Sequence, residues 1–110
     1  MRPLPNAYRL SLIALIALTS PAFAGSVSDK RKAELSYLVV QDCGSCHGMT
    51  LKGGLGSALT PSELEDTNTE ALASIILDGI PDVPMPPWRG LISEDDANWI
   101  ADALKKGTIQ

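Results

Sequence analysis

The chain is poor in the residues that build a core or carry chemistry. Its 110 residues include one phenylalanine, two tyrosines, two tryptophans, two cysteines and a single histidine. A chain of this length forms one domain, which excludes an enzyme with a substrate cleft between two lobes. Nine basic residues face 13 acidic ones, a net charge of −4, so the basic patch that neutralises nucleic-acid phosphates is missing. No stretch of about 20 apolar residues is present to span a bilayer. No strand alternation and no internal repeat appears. With so few cysteines and histidines, whatever they do together is the most informative feature of the chain.

The apolar residues concentrate at the start. Arg2 and Arg9 flank a short positive segment, Leu10 to Leu18 is an almost unbroken apolar run, and Ala22-Phe23-Ala24 places small residues where a signal peptidase reads. The expectation is a cleaved secretory signal over residues 1–24 and a periplasmic mature domain over 25–110. No cysteine follows the expected cut, which argues against a lipid anchor, and no twin arginine is present, which favours export of an unfolded chain. Arg2, Arg9, Tyr8 and Phe23 leave with the leader. The remaining 86 residues then carry seven basic and 13 acidic side chains, a formal −6, and only Tyr37, Trp88 and Trp99 as aromatics. A domain so small needs a staple such as a disulfide, a metal or a large prosthetic group.

The staple is written in Cys43-Gly44-Ser45-Cys46-His47, which holds both cysteines and the only histidine. This is the spacing of covalent c-type haem attachment. Two thiols three positions apart reach the two vinyl groups of one porphyrin, and the adjacent imidazole turns under the iron. A zinc site would need four ligands, and no second Cys or His pair exists. A thioredoxin-like site would need strands around the motif. A disulfide closing so small a loop contributes little and leaves His47 without a role.

A single histidine excludes bis-histidine ligation within the chain, leaving methionine, lysine, the amino terminus, water or nothing as sixth ligand. Met49 lies two residues after His47, on the same side of the macrocycle. Met85, 38 residues on, has a connection long enough to pass around the haem edge. It sits in Pro81-Asp82-Val83-Pro84-Met85-Pro86-Pro87, where four prolines restrict the free loop, so less entropy is lost when a weak thioether is held on iron. Met85 is therefore the expected distal ligand. Trp88 and Arg89, directly after this loop, are candidates for shielding the ligand sulfur or contacting a haem propionate.

The remaining pattern is helical. Leu35, Leu38 and Val39 follow Ser28, a candidate N-cap, and predict a helix from Asp29 to about Asp42 that runs into the Cys-His motif. Glycines at 48, 53, 54 and 56 predict a loop able to lie against a flat ligand; a phosphate-binding loop is excluded by the lack of a P-loop lysine and of a strand-to-helix pattern. Thr60-Pro61-Ser62-Glu63, Thr67-Asn68-Thr69-Glu70 and Ser93-Glu94-Asp95-Asp96 each read as a capping signal with an acid at N3. They predict a short helix, a second ending at Gly79 and a last one ending near Gly107.

This order of elements resembles a class I cytochrome c over the whole mature chain, and Cys43 to Leu59 with Ile80 to Ala103 is similar to the small cytochromes called c-55X. The resemblance implies an all-α fold of about four helices wrapped around one covalent haem c. It also implies Cys43 and Cys46 as thioether sites, His47 as proximal and Met85 as distal ligand, and packing of the first helix on the last. The family commonly carries Gly-Pro-x-Leu where this chain has Gly56-Ser57-Ala58-Leu59; a serine carbonyl keeps the ability to accept the ligand histidine's hydrogen bond, without proline's rigidity. Such cytochromes are typically encoded with cytochrome cd1 nitrite reductase. The implied function is a monomeric periplasmic electron carrier, not an enzyme, passing single electrons from an upstream donor to that reductase in denitrification. The alternatives are an accessory role in maturing the reductase or its haem d1, and a haem-based gas or redox sensor, which would require Met85 to leave the iron readily.

Overall fold

The structure is a computed structural model that describes Met1 and residues 26–109. The expected leader and its cleavage point lie outside the described residues. Helix α1 (Asp29–Leu38) starts where Ser28 Oγ accepts from the Arg31 amide at 3.2 Å. It widens into one π-helical turn at Val39–Cys43 and continues as α2 (Gly44–His47). The helix expected to end near Asp42 thus stays helical through the Cys-His motif. A π turn of this kind recurs at functional sites, because the widened turn re-aims the residues that follow it.

Helix α3 (Thr69–Asp78) is capped by Asn68, whose side-chain oxygen accepts from the Ala71 amide at 2.7 Å. The expected cap, Thr67, lies one residue outside; asparagine is the stronger cap of the two. Helix α4 (Glu94–Lys106) begins with the predicted capping box, in which the Ser93 hydroxyl and the Asp96 carboxylate accept from each other's amides at 3.1 Å. It ends at Gly107 in the left-handed conformation (φ 69°, ψ 29°).

The short helix expected after Thr60 is a single turn. The Thr60 carbonyl accepts from the Glu63 and Leu64 amides, both at 3.1 Å. Just beyond it, the Lys105 ammonium donates to the carbonyls of Leu64 at 2.8 Å, Glu65 at 3.3 Å and Thr67. These bonds tie the connector to α4.

Helix α4 is the centre of the fold and packs on both α3 and α1. Its buried face of Ala97, Ile100, Ala101, Ala103 and Leu104 shares one core with Leu35 and Val39 from the first helix and with Leu72, Ile76 and Leu77 from α3. The expected packing of first helix on last is therefore present, with Trp99 half-buried against the core. Arg31 adds a polar tie, donating from Nε and Nη2 to the two Asp96 oxygens at 3.2 and 2.8 Å. Asp96 is buried, and the Arg31 hydrogen bonds hold its carboxyl below the usual carboxylate range. Among the described residues the only extended pairing is an isolated bridge between Ile80 and Met85, and no helix is long and apolar enough to cross a membrane.

Candidate haem site

Cys43 closes the π turn and is half-buried against the core, whereas Cys46, one turn on, is exposed. Burial first, and then the neighbouring Asp42 charge, pushes the Cys43 thiol up to about 11. Both thiols are free. Between them, Gly44 is buried, and a Cβ there would lie 3.4 Å from the Met49 sulfur. Met49 thus folds back over the Cys-His motif itself.

His47 ends α2 with its imidazole fixed. Its Nδ1 lies 2.7 Å from the Ser57 carbonyl oxygen. A carbonyl only accepts, so Nδ1 carries the proton and Nε2 presents its lone pair. The serine carbonyl takes the acceptor role that the resemblance gives to proline. The loop bearing it is stitched onto α2: the Gly53 amide donates to the His47 carbonyl and the Gly56 amide to the Cys46 carbonyl, both at 2.8 Å. A Cβ on Gly56 would come within 2.8 Å of His47 Nδ1, so only glycine lets the loop lie against the ring. Leu51, buried in the same loop, holds φ at 60°, a strained value for a branched side chain.

Met85 belongs to a second construction at the end of α3. The Ile80 amide donates to the Met85 carbonyl at 3.3 Å, and the Met85 amide to the Val83 carbonyl at 2.8 Å. Gly79, at φ 70°, passes so close that a Cβ there would sit 2.5 Å from the Met85 oxygen. The chain then returns to α3, where the Trp88 amide donates to the Ile76 and Leu77 carbonyls at 3.2 and 3.0 Å and the Arg89 amide to that of Leu77 at 3.0 Å. Trp88 is half-buried against the core. Arg89 is exposed, and Nε, Nη2 and Nη1 donate to Asp78 Oδ1, Asp78 Oδ2 and Glu94 Oε1 at 2.8, 3.1 and 3.1 Å. Sequence reasoning had no signal for these carboxylates, which lie 11 and five residues away.

An open cleft of about 450 Å³ is lined by this loop, including Ile80, Val83, Met85 and Pro86. Cys43, Cys46 and His47 are not in its lining; the predicted site residues form two groups, joined through the core that Cys43 and Trp88 both touch. The donor set fits haem c: two free thiols three apart, one imidazole with Nε2 available, one loop-borne thioether, and the exposed apolar side chains of Leu55, Ile75, Ile80 and Val83. Among the described residues no group of three or more His, Cys, Asp or Glu converges on a metal site.

Comparison with known proteins agrees with this chemistry. Residues 30–102 match the family described as Cytochrome C oxidase, cbb3-type, subunit III. The chain is 48% identical to cytochrome c55X of Pseudomonas aeruginosa over 98% of this chain and 92% of the relative. It is 50% identical to cytochrome c55X of Paracoccus denitrificans over 89% and 94%. Among solved structures it is similar to the c-type cytochrome NirC, with a TM-score of 0.73 and 52% identity over 74% of this chain and 96% of that one. It is also similar to part of dihydro-heme d1 dehydrogenase NirN in complex with DHE, with a TM-score of 0.59 and 29% identity over 63% of this chain and 15% of that one. A mostly helical domain built around a Cys-x-x-Cys-His motif and matched to the two cytochrome c55X relatives over nearly its whole length is a c-type cytochrome: the chain belongs to the cytochrome c55X family of haem c electron carriers.

Proposed function

We propose that Cys43 and Cys46 bind the haem as thioethers, that His47 Nε2 is its proximal and Met85 its distal ligand, and that the chain, exported and cut after Ala24, works in the periplasm. There it passes single electrons from an upstream redox protein to cytochrome cd1 nitrite reductase. The carrying observation is the His47–Ser57 hydrogen bond, which fixes the tautomer and leaves one ring nitrogen for iron. When bound, haem c supplies a one-electron iron couple whose potential a His/Met ligand pair raises. The Ser57 carbonyl orients the imidazole, and the prolines around Met85 limit the freedom of the thioether. If His47 and Met85 both hold the iron, the protein itself would fill the ligand positions that a substrate or gas needs, which favours a carrier over an enzyme or a gas sensor. The half-buried Trp88 indole is the stronger candidate for a propionate or sulfur contact, because three Arg89 nitrogens already serve Asp78 and Glu94.

Met49, Leu55, Pro86 and Pro87 are exposed and largely apolar, and support a docking rim that desolvates cheaply, whereas Leu51 is buried and contributes nothing to it. A small interface, below about 1,200 Å², lets such partners part quickly. The similarity to part of a dihydro-heme d1 dehydrogenase supports a second reading, an accessory role in maturing haem d1. Rapid mixing of the reduced holoprotein with cytochrome cd1 nitrite reductase tests the first: transfer no faster than to an unrelated acceptor refutes it. A deletion strain whose reductase lacks haem d1 would favour the second.

A further inference from the structure

We propose that Asp78, Arg89 and Glu94 form a clamp that positions Met85, closing the base of its loop and thereby keeping the thioether on iron. The inference rests on the reading of Met85 as distal ligand. The loop runs from Gly79 to Trp88 and is poor in attachments of its own. Pro81, Pro84, Pro86 and Pro87 have no amide proton to donate, and the Ile80 and Met85 amides donate to carbonyls within the loop. The main-chain bonds that tie it to the rest of the fold sit at its two ends, at Gly79 and at Trp88 and Arg89.

Arg89 joins those ends. Its amide donates to the Leu77 carbonyl while its guanidinium takes both Asp78 oxygens, so the residue before the loop and the residue after it are held together by main chain and side chain at once. The planar fork suits bidentate carboxylate binding. Asp78 is the last residue of α3, where a lone negative charge opposes the helix dipole; Arg89 supplies the cation that this end favours. Glu94, first residue of α4, takes Nη1 and locks the loop base to the central helix. An isolated surface ion pair contributes little. Here the pair reinforces the main-chain bonds at the base of the loop, so its loss loosens the closure of a loop with no other main-chain tie among the described residues.

The test uses the haem-loaded protein and reads the ferric methionine charge-transfer band, the rate at which added imidazole displaces the distal ligand, and amide exchange at Trp88 and Arg89. Arg89→Gln is expected to weaken the band, to speed imidazole entry several-fold and to speed exchange at both amides, at temperatures well below unfolding. Arg89→Lys, which holds one carboxylate at a time, should fall between. Lys106→Gln, which breaks the exposed Lys106–Asp102 pair on the far end of α4, should change none of the three. Met85→Ala separates the two ideas: if the band survives in that variant, Met85 is not the ligand and the underlying reading fails. If Met85→Ala loses the band while Arg89→Gln matches the unaltered protein in band, imidazole entry and exchange, the clamp is overturned.

Discussion

His47 donates its Nδ1 proton to the main-chain carbonyl of Ser57, 2.7 Å away, with Gly56 lying against the ring. Because the acceptor is main chain, Ser57→Pro should keep it; the Ser57 amide donates to no backbone carbonyl among the described residues, so proline removes no such bond. Gly56→Ala is different. A methyl 2.8 Å from Nδ1 must tilt the ring or push the loop away. Weakening this bond lowers the basicity of the imidazole and so favours ferrous iron. We expect Gly56→Ala to raise the reduction potential and Ser57→Pro to leave it nearly unchanged, as read by redox titration alongside the NMR shift of the Nδ1 proton.

Met49 and Met85 sit in different constructions. Met49 folds over Gly44, inside the Cys-His motif, while Met85 is held by Ile80, Val83 and the close passage of Gly79. Met85→Ala should abolish the weak red charge-transfer band of the ferric protein and lower its potential. Met49→Ala should leave both intact. The opposite pattern in optical spectra and redox titrations would reassign the distal ligand.

What was legible in the sequence was local. Ser28, Ser93 and Gly107 cap their helices where a few neighbouring residues say they should, and the Cys-x-x-Cys-His spacing is local chemistry in itself. What was not legible depends on partners far along the chain. The turn at Thr60 carries a helix start signal but stops after one turn, and the connector beyond it is tied instead to Lys105, about 40 residues later. Arg89 is available to a propionate by sequence, but folding brings Asp78 and Glu94 to its guanidinium. The positive φ of Leu51 has no residue signal, since a buried leucine pays for it through loop packing. Thr67 and Asn68 are adjacent good caps, and the stronger of the two, Asn68, takes the position.

Acid should loosen the join between α1 and α4. The Arg31 hydrogen bonds depress the folded Asp96 pKa below its ordinary value, so the stability they add is fully present above the unfolded value of about 3.9 and is lost as pH falls through the folded one. Asp78, depressed mainly by Arg89, acts in the same direction. Thermal unfolding should therefore be flat from neutrality to about pH 4 and drop below it. Asp96→Asn should lower the midpoint at pH 7 and soften the acid drop; an unchanged acid limb would remove Asp96 from the account.

Ile100 lies where α4 meets its neighbours, with 1% of its surface exposed, opposite Leu35 and Val39 in the shared core. Ile100→Ala should cost about 2 to 5 kcal/mol, the usual range for such truncations in a packed core. Tyr37→Ala, at a residue 70% exposed, should cost far less. Denaturant titration of both haem-loaded variants, with the slope compared to confirm that only stability has changed, checks the contrast.

Lys105 lends itself to a separation of stability from electronics. Its ammonium donates to three carbonyls of the connector between the Gly-rich loop and α3, those of Leu64, Glu65 and Thr67. Lys105→Met keeps an apolar stem of similar length but removes the donor, leaving part-buried acceptors that water satisfies only in part. The expected loss is about 1 to 2 kcal/mol, toward the lower end for charged hydrogen bonds because the Glu65 carbonyl is exposed. Amide exchange should quicken at Leu64 and Thr67, whose amides donate within this connector to the Thr60 and Leu64 carbonyls. Lys105→Arg should recover part of the loss. The ferric charge-transfer band and the potential should stay at their original values in both variants, because the connector touches neither the His47 loop nor the Met85 loop by hydrogen bond among the described residues. A shift in potential with Lys105→Met would show instead that the connector bears on the haem environment, and the division between a stabilising α4 tie and a separate ligand loop would have to be redrawn.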